Sequence, residues 1–287
     1  MRPELIQASE LLKKDTPEAI EAAIGLLQNT VFSFSMKMCG HREDAEDTTQ
    51  DVLFRSLKHL SKMQDPNSLA AWLYTVTRNR CSRMRRRPFD AVHNRLSLDE
   101  LIPDDLELKD LIEGDTGPEQ EAMHAEEHHL LHEAVLRLPT PLRLVLVLHD
   151  MEELTSEEIA RILSLQIGTV RVRLHRARLT VRKQMMSLLS GIRKKKMTAK
   201  VIPRRPKECR DLFANLSEYL DGRVEARTCD EMRAHIARCP ECIAFLRDLR
   251  GAIDRCRSFS VACDPNVAQR MRALMTREYL RLIGKPA

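Results

Sequence analysis

The most informative stretch of the chain reads TSEEIARILSLQIGTVRVRLHRARLTVR, from Thr155 to Arg182. It opens with a capping box, because Thr155 and Glu158 stand three residues apart at the start of a short apolar helix. A turn that ends at Gly168 follows, and Thr169 is expected to cap a second helix. Two short helices joined by a compact turn predict a helix-turn-helix.

The second of these helices has a basic outer face and no acidic residue. The side chains spaced to point outward are Arg171, His175, Arg178 and Arg182. A basic helix that follows a compact turn fits the major groove of DNA, and we therefore expect nucleic-acid binding here. An ordinary helical hairpin with a solvated arginine face has the same spacing and is the alternative.

The composition of the whole chain also favours helices. Of its 287 residues only 4% are aromatic and nine are glycine, whereas strands draw on aromatic residues and nucleotide-binding loops on glycine. The longest aliphatic run, Leu144 to Leu148, is too short to cross a bilayer, and acids near the N-terminus do not suit a signal peptide. We therefore expect an all-α protein of the cytoplasm that does not enter the membrane.

The charges are arranged in blocks, although the net charge is only +5. Six arginines and no acid lie between Arg78 and Arg87, and ten cations and no acid lie between Arg171 and Lys196. Between these blocks, residues 99–133 hold thirteen acids and one lysine. This order predicts two surfaces that grip a polyanion, joined by an acidic connector that avoids it. Solvated helix faces joined by a disordered acidic linker are the alternative.

Three helices are predicted in the N-terminal part of the chain. Thr16-Pro17 starts the first and Gly40 stops it. The second begins near Arg42, and the third opens after Asp65-Pro66 and ends by Pro88. One face of the second helix presents polar residues at intervals of three and four: Asp44, Asp47, Gln50 and Asp51.

These segments resemble, in order, the motifs of a bacterial extracytoplasmic-function sigma factor over roughly residues 16–88 and 120–189. Arg42–Val52 resembles the helix that binds core polymerase in that family. Ala71–Tyr74, followed by Arg78-Asn79, resembles the segment that reads the −10 promoter element. Leu138-Pro139, Glu157–Ala160 and Gly168–Arg178 resemble the domain that reads the −35 element. Several motifs in the family's order are specific together, although none of them is specific alone.

The resemblance implies a sigma factor that directs RNA polymerase core to promoters and does no chemistry itself. Its helical domain 2 would span residues 16–88, an acidic linker 89–119, and its helix-turn-helix domain 4 residues 120–189. The implied contact with the β′ coiled coil of polymerase uses Asp44, Asp47, Gln50 and Asp51, an acidic face suited to a basic partner. The implied contacts with −10 DNA use Asn79, Arg80, Arg83, Arg85 and Arg86. The implied contacts with −35 DNA use Thr169, Arg171, Arg173, His175, Arg176 and Arg178.

Three further residues bear on this resemblance. Trp72 and Tyr74 are candidates to stack on the bases of a melted strand. Trp72 shares a helical face with Leu69 and Val76, however, which favours a place in the core. Ser164 stands where the family usually has a turn glycine, and it predicts either an unusual backbone at that position or a shifted turn.

Six of the eight cysteines lie between Cys209 and Cys263, which in a reducing compartment indicates a metal or redox site. The spacing His235-x3-Cys239-x2-Cys242 allows one helix to carry the histidine and the first cysteine one turn apart. With Leu216–Gly222, this segment resembles a zinc-binding anti-sigma domain. The resemblance implies one zinc ion held by Cys209, His235, Cys239 and Cys242. Cys229 is the rival fourth ligand, and cysteines without any metal are the remaining alternative.

The zinc-binding domain would span residues 208–250, between a basic linker at 190–207 and a tail at 251–287 of open role. In that tail, Val267, Met271, Leu274 and Met275 are spaced for one more docking helix. A domain fused in cis has a high effective concentration, and we expect it to contact the sigma domains and to inhibit them. A scaffold or activator role, and a stand-alone helix-turn-helix regulator, are the alternatives. A zinc or thiol enzyme is disfavoured, because four protein ligands leave no open position on the metal.

Overall fold

The computed structural model describes residues 2–60, 65–84, 101, 120–190 and 207–284. Every regular element in these ranges is helical, so the all-α prediction is confirmed. The α-helices are α1 (Pro3–Lys14), α2 (Pro17–Cys39), α3 (Arg42–Leu60), α4 (Pro66–Met84), α5 (Gln120–Leu136), α6 (Thr140–Leu146), α7 (Ser156–Leu163), α8 (Ile167–Ser190), α9 (Lys207–Leu220), α10 (Ala226–Ile236), α11 (Pro240–Ser258) and α12 (Pro265–Leu282). None of the described helices is both long enough and apolar enough to cross a bilayer. The predicted linkers at 89–119 and 190–207 lie outside the described residues, apart from Leu101, Ser190 and Lys207.

One compact unit contains α1 to α4, residues 147–170 and α12. Its central helix is α2, which begins and ends where the sequence predicts. The Thr16 hydroxyl accepts a hydrogen bond from the amide of Ala19 at 3.2 Å. Gly40 ends the helix with φ 81, and its amide donates to the carbonyl of Met36. α1 was not predicted, and it packs along α2 through residues such as Leu5, which is fully buried.

The last helix of the chain, α12, belongs to the same unit and packs against α2 and α3. The side-chain amide of Gln28 donates a hydrogen bond to the backbone carbonyl of Ala268 at 3.1 Å. Gly25 permits a close crossing, because a Cβ there would lie 3.0 Å from the Nε of Arg272. Met271 of α12 is buried. The prediction of one more helix in the tail is therefore confirmed.

The helix-turn-helix has the local geometry that its sequence predicts, with one shift. The capping box is present: the Thr155 hydroxyl accepts from the amide of Glu158 at 3.2 Å, and the Glu158 carboxylate accepts from the amide of Thr155 at 2.8 Å. Ser164 has φ 53, in the left-handed region, as the missing turn glycine predicts. The prediction that Thr169 caps the second helix is wrong. α8 begins at Ile167, because the carbonyl of Gln166 already accepts its first backbone hydrogen bond.

The other compact unit contains α5, α6, α8 from Arg171 onward, and α9 to α11. Its C-terminal helices share a core in which the rings of Phe213 and Phe245 meet edge to face, 4.8 Å apart. Leu179 of α8 belongs to the same buried cluster. The small cysteine-bearing domain is therefore packed onto the second helix of the helix-turn-helix, which completes its core.

Candidate DNA-binding helix and metal cluster

Four side chains from three helices and a turn converge on one point. The metal-ligating atoms of this group lie within 4.8 Å of one another, and the residues are Cys209, His235, Cys239 and Cys242. The Sγ atoms of Cys209 and Cys242 are 3.8 Å apart, and each lies 3.3 Å from the Nε2 of His235. Two thiolates bound at about 2.3 Å to a tetrahedral ion would be about 3.8 Å apart. The donor set and its spacing therefore fit a zinc ion.

The elements that carry these residues differ in part from the prediction. His235 lies in the last turn of α10, which ends at Ile236, so Cys239 is in the following turn and not on the same helix. This prediction fails because the Cys239-Pro240 pair starts a new helix, with Cys242 in its first turn. Cys229, the rival ligand, is not a member of the group.

Electrostatics around Cys242 also favour a cation. Burial, together with the neighbouring thiols of Cys239 and Cys209, raises the pKa of Cys242 well above its usual value. A thiolate at this position therefore requires a nearby positive charge. A bound metal supplies that charge and releases the protons of its ligands.

Only part of the basic face of α8 is open to solvent. The prediction that His175, Arg178 and Arg182 point outward is wrong, because these side chains are buried. Residues of α9, α11 and the loop after α9 cover them. The spacing on α8 could not show this, because the covering residues are 39 to 66 positions away in the sequence.

The contacts on this face are specific and polar. The Arg178 guanidinium donates to both carboxylate oxygens of Asp221, at 2.8 and 3.0 Å, and to the carbonyl of Ser217 at 3.3 Å. Arg182 donates to the carboxylate of Asp248 and lies 4.7 Å above the ring of Phe245. Both arginines therefore already have anionic partners within the protein.

His175 occupies the centre of this covered face. Its Nδ1 lies 2.9 Å from the Ser217 hydroxyl. Burial, together with the positive charges of Arg178 and Arg176, lowers the pKa of His175 to about 4. The imidazole is therefore neutral at physiological pH.

The first turns of α8 remain accessible. Val172 and Arg176 are exposed, and Thr169, Arg171 and Arg173 are half-buried. Of these, Thr169, Val172, Arg173 and Arg176 follow one another at intervals of three, one and three, so they share a helical face. Val172, at the centre of this face, is 57% exposed.

The acidic residues of α3 border a groove that α12 closes on one side. Asp47 and Gln50 are exposed, while Asp44 and Asp51 are half-buried. The groove is lined by Asp47, Gln50, Asp51, Phe54, Arg80, Leu274, Met275 and Glu278. Phe54 and Leu274 are exposed by 52% and 41% of their surface. The contribution of α12 to this surface was not predictable from the acidic pattern on α3 alone.

The predicted −10 residues on α4 have mixed environments. Asn79 is exposed, and its side-chain oxygen accepts a hydrogen bond from Arg78 at 2.9 Å. Arg80 pairs with Asp51 at 3.3 Å, so a cation predicted to bind DNA meets an acid predicted to bind polymerase. The side chain of Arg83, and Arg85 and Arg86, lie outside the described residues.

The two aromatic candidates for base stacking also differ from each other. Trp72 is half-buried, with its ring 5.5 Å from that of His59. Tyr74 is 2% exposed and packs edge to face on Phe34. Its hydroxyl donates to Glu152 at 2.8 Å, and burial beside that carboxylate raises the pKa of Tyr74. Tyr74 is therefore a core residue in this structure and does not offer its ring to a base.

Three segments of the chain match known protein families. The family described as "Sigma-70 region 2" matches residues 24–88, and "Sigma-70, region 4" matches residues 128–181. The family described as "Putative zinc-finger" matches residues 209–242. The chain carries sigma-70 regions 2 and 4.

Relatives with sigma-factor names match the same part of the chain. The ECF RNA polymerase sigma factor SigW of Bacillus subtilis is 27% identical over 179 residues, which cover 62% of this chain and 94% of that protein. The RNA polymerase sigma-H factor of Pseudomonas aeruginosa is 25% identical over 187 residues, 64% of this chain and 94% of that protein. The ECF RNA polymerase sigma factor SigE of Mycolicibacterium smegmatis is 32% identical over 152 residues, 53% of this chain and 56% of that protein. The resemblance inferred from the motifs is confirmed.

The matches assign each group of residues to a region. The α3 side of the acidic groove and the α4 residues belong to region 2. The second half of α5 through the middle of α8 belongs to region 4. The zinc-finger match runs from the first to the last of the four clustered ligands, Cys209 to Cys242. The covered arginine Arg178 belongs to region 4, whereas its partner Asp221 belongs to the zinc-finger domain.

Proposed function

We propose that this chain is a sigma factor of the extracytoplasmic-function type that recruits RNA polymerase core to promoters and is restrained in cis by its own zinc-finger domain. The observation that carries the regulatory part is the bidentate pairing of Arg178 in region 4 with Asp221 of the zinc-finger domain. A guanidinium held in this way cannot also bind DNA.

Restraint of region 4 rests on competition between two anionic partners. Asp221 and Asp248 occupy the guanidinium groups of Arg178 and Arg182, which on an open helix would attract phosphates. The residues of α9, α11 and the loop after α9 that cover α8, here called the cover, do not reach the face from Thr169 to Arg176. The first turns of α8 therefore remain the candidates for reading bases. Opening is required before the whole basic length of α8 can bind promoter DNA.

Restraint of region 2 would come from α12. This helix borders the groove that contains Asp47, Gln50 and Asp51, the residues we assign to the β′ subunit of polymerase core. Glu278 adds a further acid to this groove, and Leu274 adds an exposed apolar side chain. A partner helix that approached this face would therefore meet α12 as well as α3.

The zinc ion has a structural part in this proposal. Cys209, His235, Cys239 and Cys242 would fill a tetrahedral site, so the ion would link α9, α10 and α11 and would have no free position for a substrate. The domain places Ser217 and Asp221 against α8, and its own apolar core is small. Loss of the metal would therefore loosen the cover, and no catalytic step is assigned to the chain.

The sigma function is tested by reconstitution with core polymerase and mapping of transcription starts. Reversal of Asp47 with Asp47→Lys should reduce core binding at least about tenfold, because one exposed acid of a charge-matched face becomes a like charge. Glu21→Lys is the matched control, since Glu21 is an exposed acid on α2 away from this groove. Initiation without core dependence, or equal binding by both variants, would contradict the proposal and favour a stand-alone DNA-binding regulator.

The restraint is tested without altering any proposed DNA contact. Asp221→Asn removes the charge that holds Arg178, and promoter output from the full chain should rise several-fold as α8 is released. Asp230→Asn is the matched control, because Asp230 is an exposed acid of the same domain that pairs with Arg233 on its own helix. Lower output from Asp221→Asn would make the domain an activator, and unchanged output would make it a scaffold.

A further inference from the structure

A carboxylate of region 4 is buried in the helices of region 2. Glu152 lies in the loop between α6 and α7, within the region 4 match, and none of its side chain is exposed. Its Oε1 accepts from the ammonium of Lys37 at 2.8 Å. Its Oε2 accepts from the hydroxyl of Tyr74 at 2.8 Å and lies 3.0 Å from the Nε of Arg2.

The partners of Glu152 come from separate elements of the chain. Lys37 lies on α2 and Tyr74 on α4, both within the region 2 match, and Arg2 precedes α1. Lys37 is itself fully buried, so the two charges neutralise each other away from water. Arg78 of α4 adds a contact between the regions, because its Nη1 donates to the carbonyl of Ile162 on α7 at 3.3 Å.

This arrangement is incompatible with simultaneous reading of two promoter elements. Elements named −10 and −35 are about 25 base pairs apart, which is roughly 85 Å along B-DNA at about 3.4 Å per pair. If region 2 is on one element and region 4 on the other, Lys37 and Glu152 cannot remain 2.8 Å apart. The ion pair must therefore break before the promoter is bound at both elements.

We propose that Glu152 is a latch that holds region 4 against region 2 in the chain that is not bound to a promoter. The proposal rests on the sigma function proposed above, and it adds a second restraint that the zinc-finger domain does not supply. The four latch residues Arg2, Lys37, Tyr74 and Glu152 all lie outside the zinc-finger domain. If only the contact between α8 and the zinc-finger domain opens, this latch stays closed.

The chemistry of the group suits a latch better than a permanent core. A buried ion pair adds little stability over apolar packing, but it fixes one geometry, because each charge is costly without its partner. When the regions separate, Glu152, Lys37 and Arg2 can all be hydrated, so no buried charge is left behind. The pair therefore favours either the fully closed or the fully open arrangement.

The test follows the distance between the regions in the full chain. Donor and acceptor dyes are placed through unnatural amino acids at Arg55 on α3 and Arg161 on α7, both of which are exposed. Without DNA, Glu152→Gln should increase the fraction of open molecules about tenfold, because the ammonium of Lys37 loses its counter-charge. Tyr74→Phe removes one hydrogen bond but keeps the ring, and a smaller increase is expected.

Glu157→Gln is the matched control, since Glu157 is an exposed glutamate on the same segment. Unchanged energy transfer in both Glu152→Gln and Tyr74→Phe would overturn the latch, and so would opening of the control to the same extent. Circular dichroism of each variant separates opening from unfolding, and a loss of helix without opening would give Glu152 a purely structural role. Core-dependent transcription by the parent chain is measured in parallel, so failure of the latch is distinguishable from failure of the sigma function.

Discussion

At the scale of single residues, His175 makes the cover on α8 sensitive to pH. Its pKa is lowered to about 4 by burial and by the adjacent arginines, whereas an exposed histidine has a pKa near 6.5. The covered form binds fewer protons than the open form, so acid favours opening. The stability that neutral His175 contributes to the covered state is fully present above about pH 6.5 and is lost progressively as the pH falls toward 4.

We therefore expect the open fraction of α8 to rise about tenfold between pH 7.5 and pH 5.5. Energy transfer between labels at Val172 and Arg227, two exposed positions, measures this fraction in the full chain. His175→Gln keeps a polar partner for Ser217 but cannot titrate, and its transfer should stay level over this range. If His175→Gln showed the same change in energy transfer between pH 7.5 and pH 5.5, the titration would belong to other groups, including the cysteine cluster.

At the scale of elements, the turn of the helix-turn-helix contains a removable strain. Ser164 has φ 53, a conformation that costs an L-residue about 1–2 kcal/mol and glycine almost nothing. Ser164→Gly should raise the free energy of unfolding by about 1 kcal/mol, measured by thermal or urea unfolding. Ser164→Ala keeps the strain and should give no gain. Destabilisation by the glycine would mean that the serine side chain contributes more than its backbone costs.

A substitution can displace α12 from region 2 without deleting the helix from the chain. Ala268 is buried where α12 crosses α2, so Ala268→Arg should push α12 away from α2. If α12 masks the acidic groove, affinity for core polymerase should increase at least about fivefold, because more molecules are competent to bind. Ala273→Arg, at an exposed position of the same helix, is the control. Equal affinity for the two variants in a titration of labelled chain with core would show that α12 does not mask the groove.

Local sequence predicts some of these features and not others. Helix ends follow from short-range chemistry, so Gly40, the capping box of Thr155 and the tail helix were predictable. The convergence of the four metal ligands was also predictable, because three of them are close in sequence. The cover on Arg178 was not predictable, since Asp221 is 43 residues away and an arginine spaced to face outward can equally meet a protein carboxylate. The burial of Glu152 depends in the same way on packing between distant segments.

In the whole molecule, the proposed zinc ion would connect metal status to promoter access. The ion would tie together the three helices whose core includes Leu179 of region 4, so its removal should loosen the contacts with α8. Cys209→Ser should lose the bound metal and raise promoter output, whereas Cys229→Ser should keep one zinc per chain. Metal content by native mass spectrometry and output in reconstituted transcription check both expectations. Retention of zinc by Cys209→Ser would remove that residue from the ligand set.

The pairing of Arg178 with Asp221 joins two parts of one polypeptide, so if the zinc-finger domain inhibits as proposed, the ratio of inhibitor to factor is fixed at one. A separate inhibitor in excess titrates its target, so the response stays silent up to a threshold and then rises steeply. A tethered inhibitor has no such reservoir, because every molecule opens or closes on its own and dilution does not change the balance. Output from this chain should therefore be proportional to the amount of protein at every level of expression, with a gain set by the signal alone.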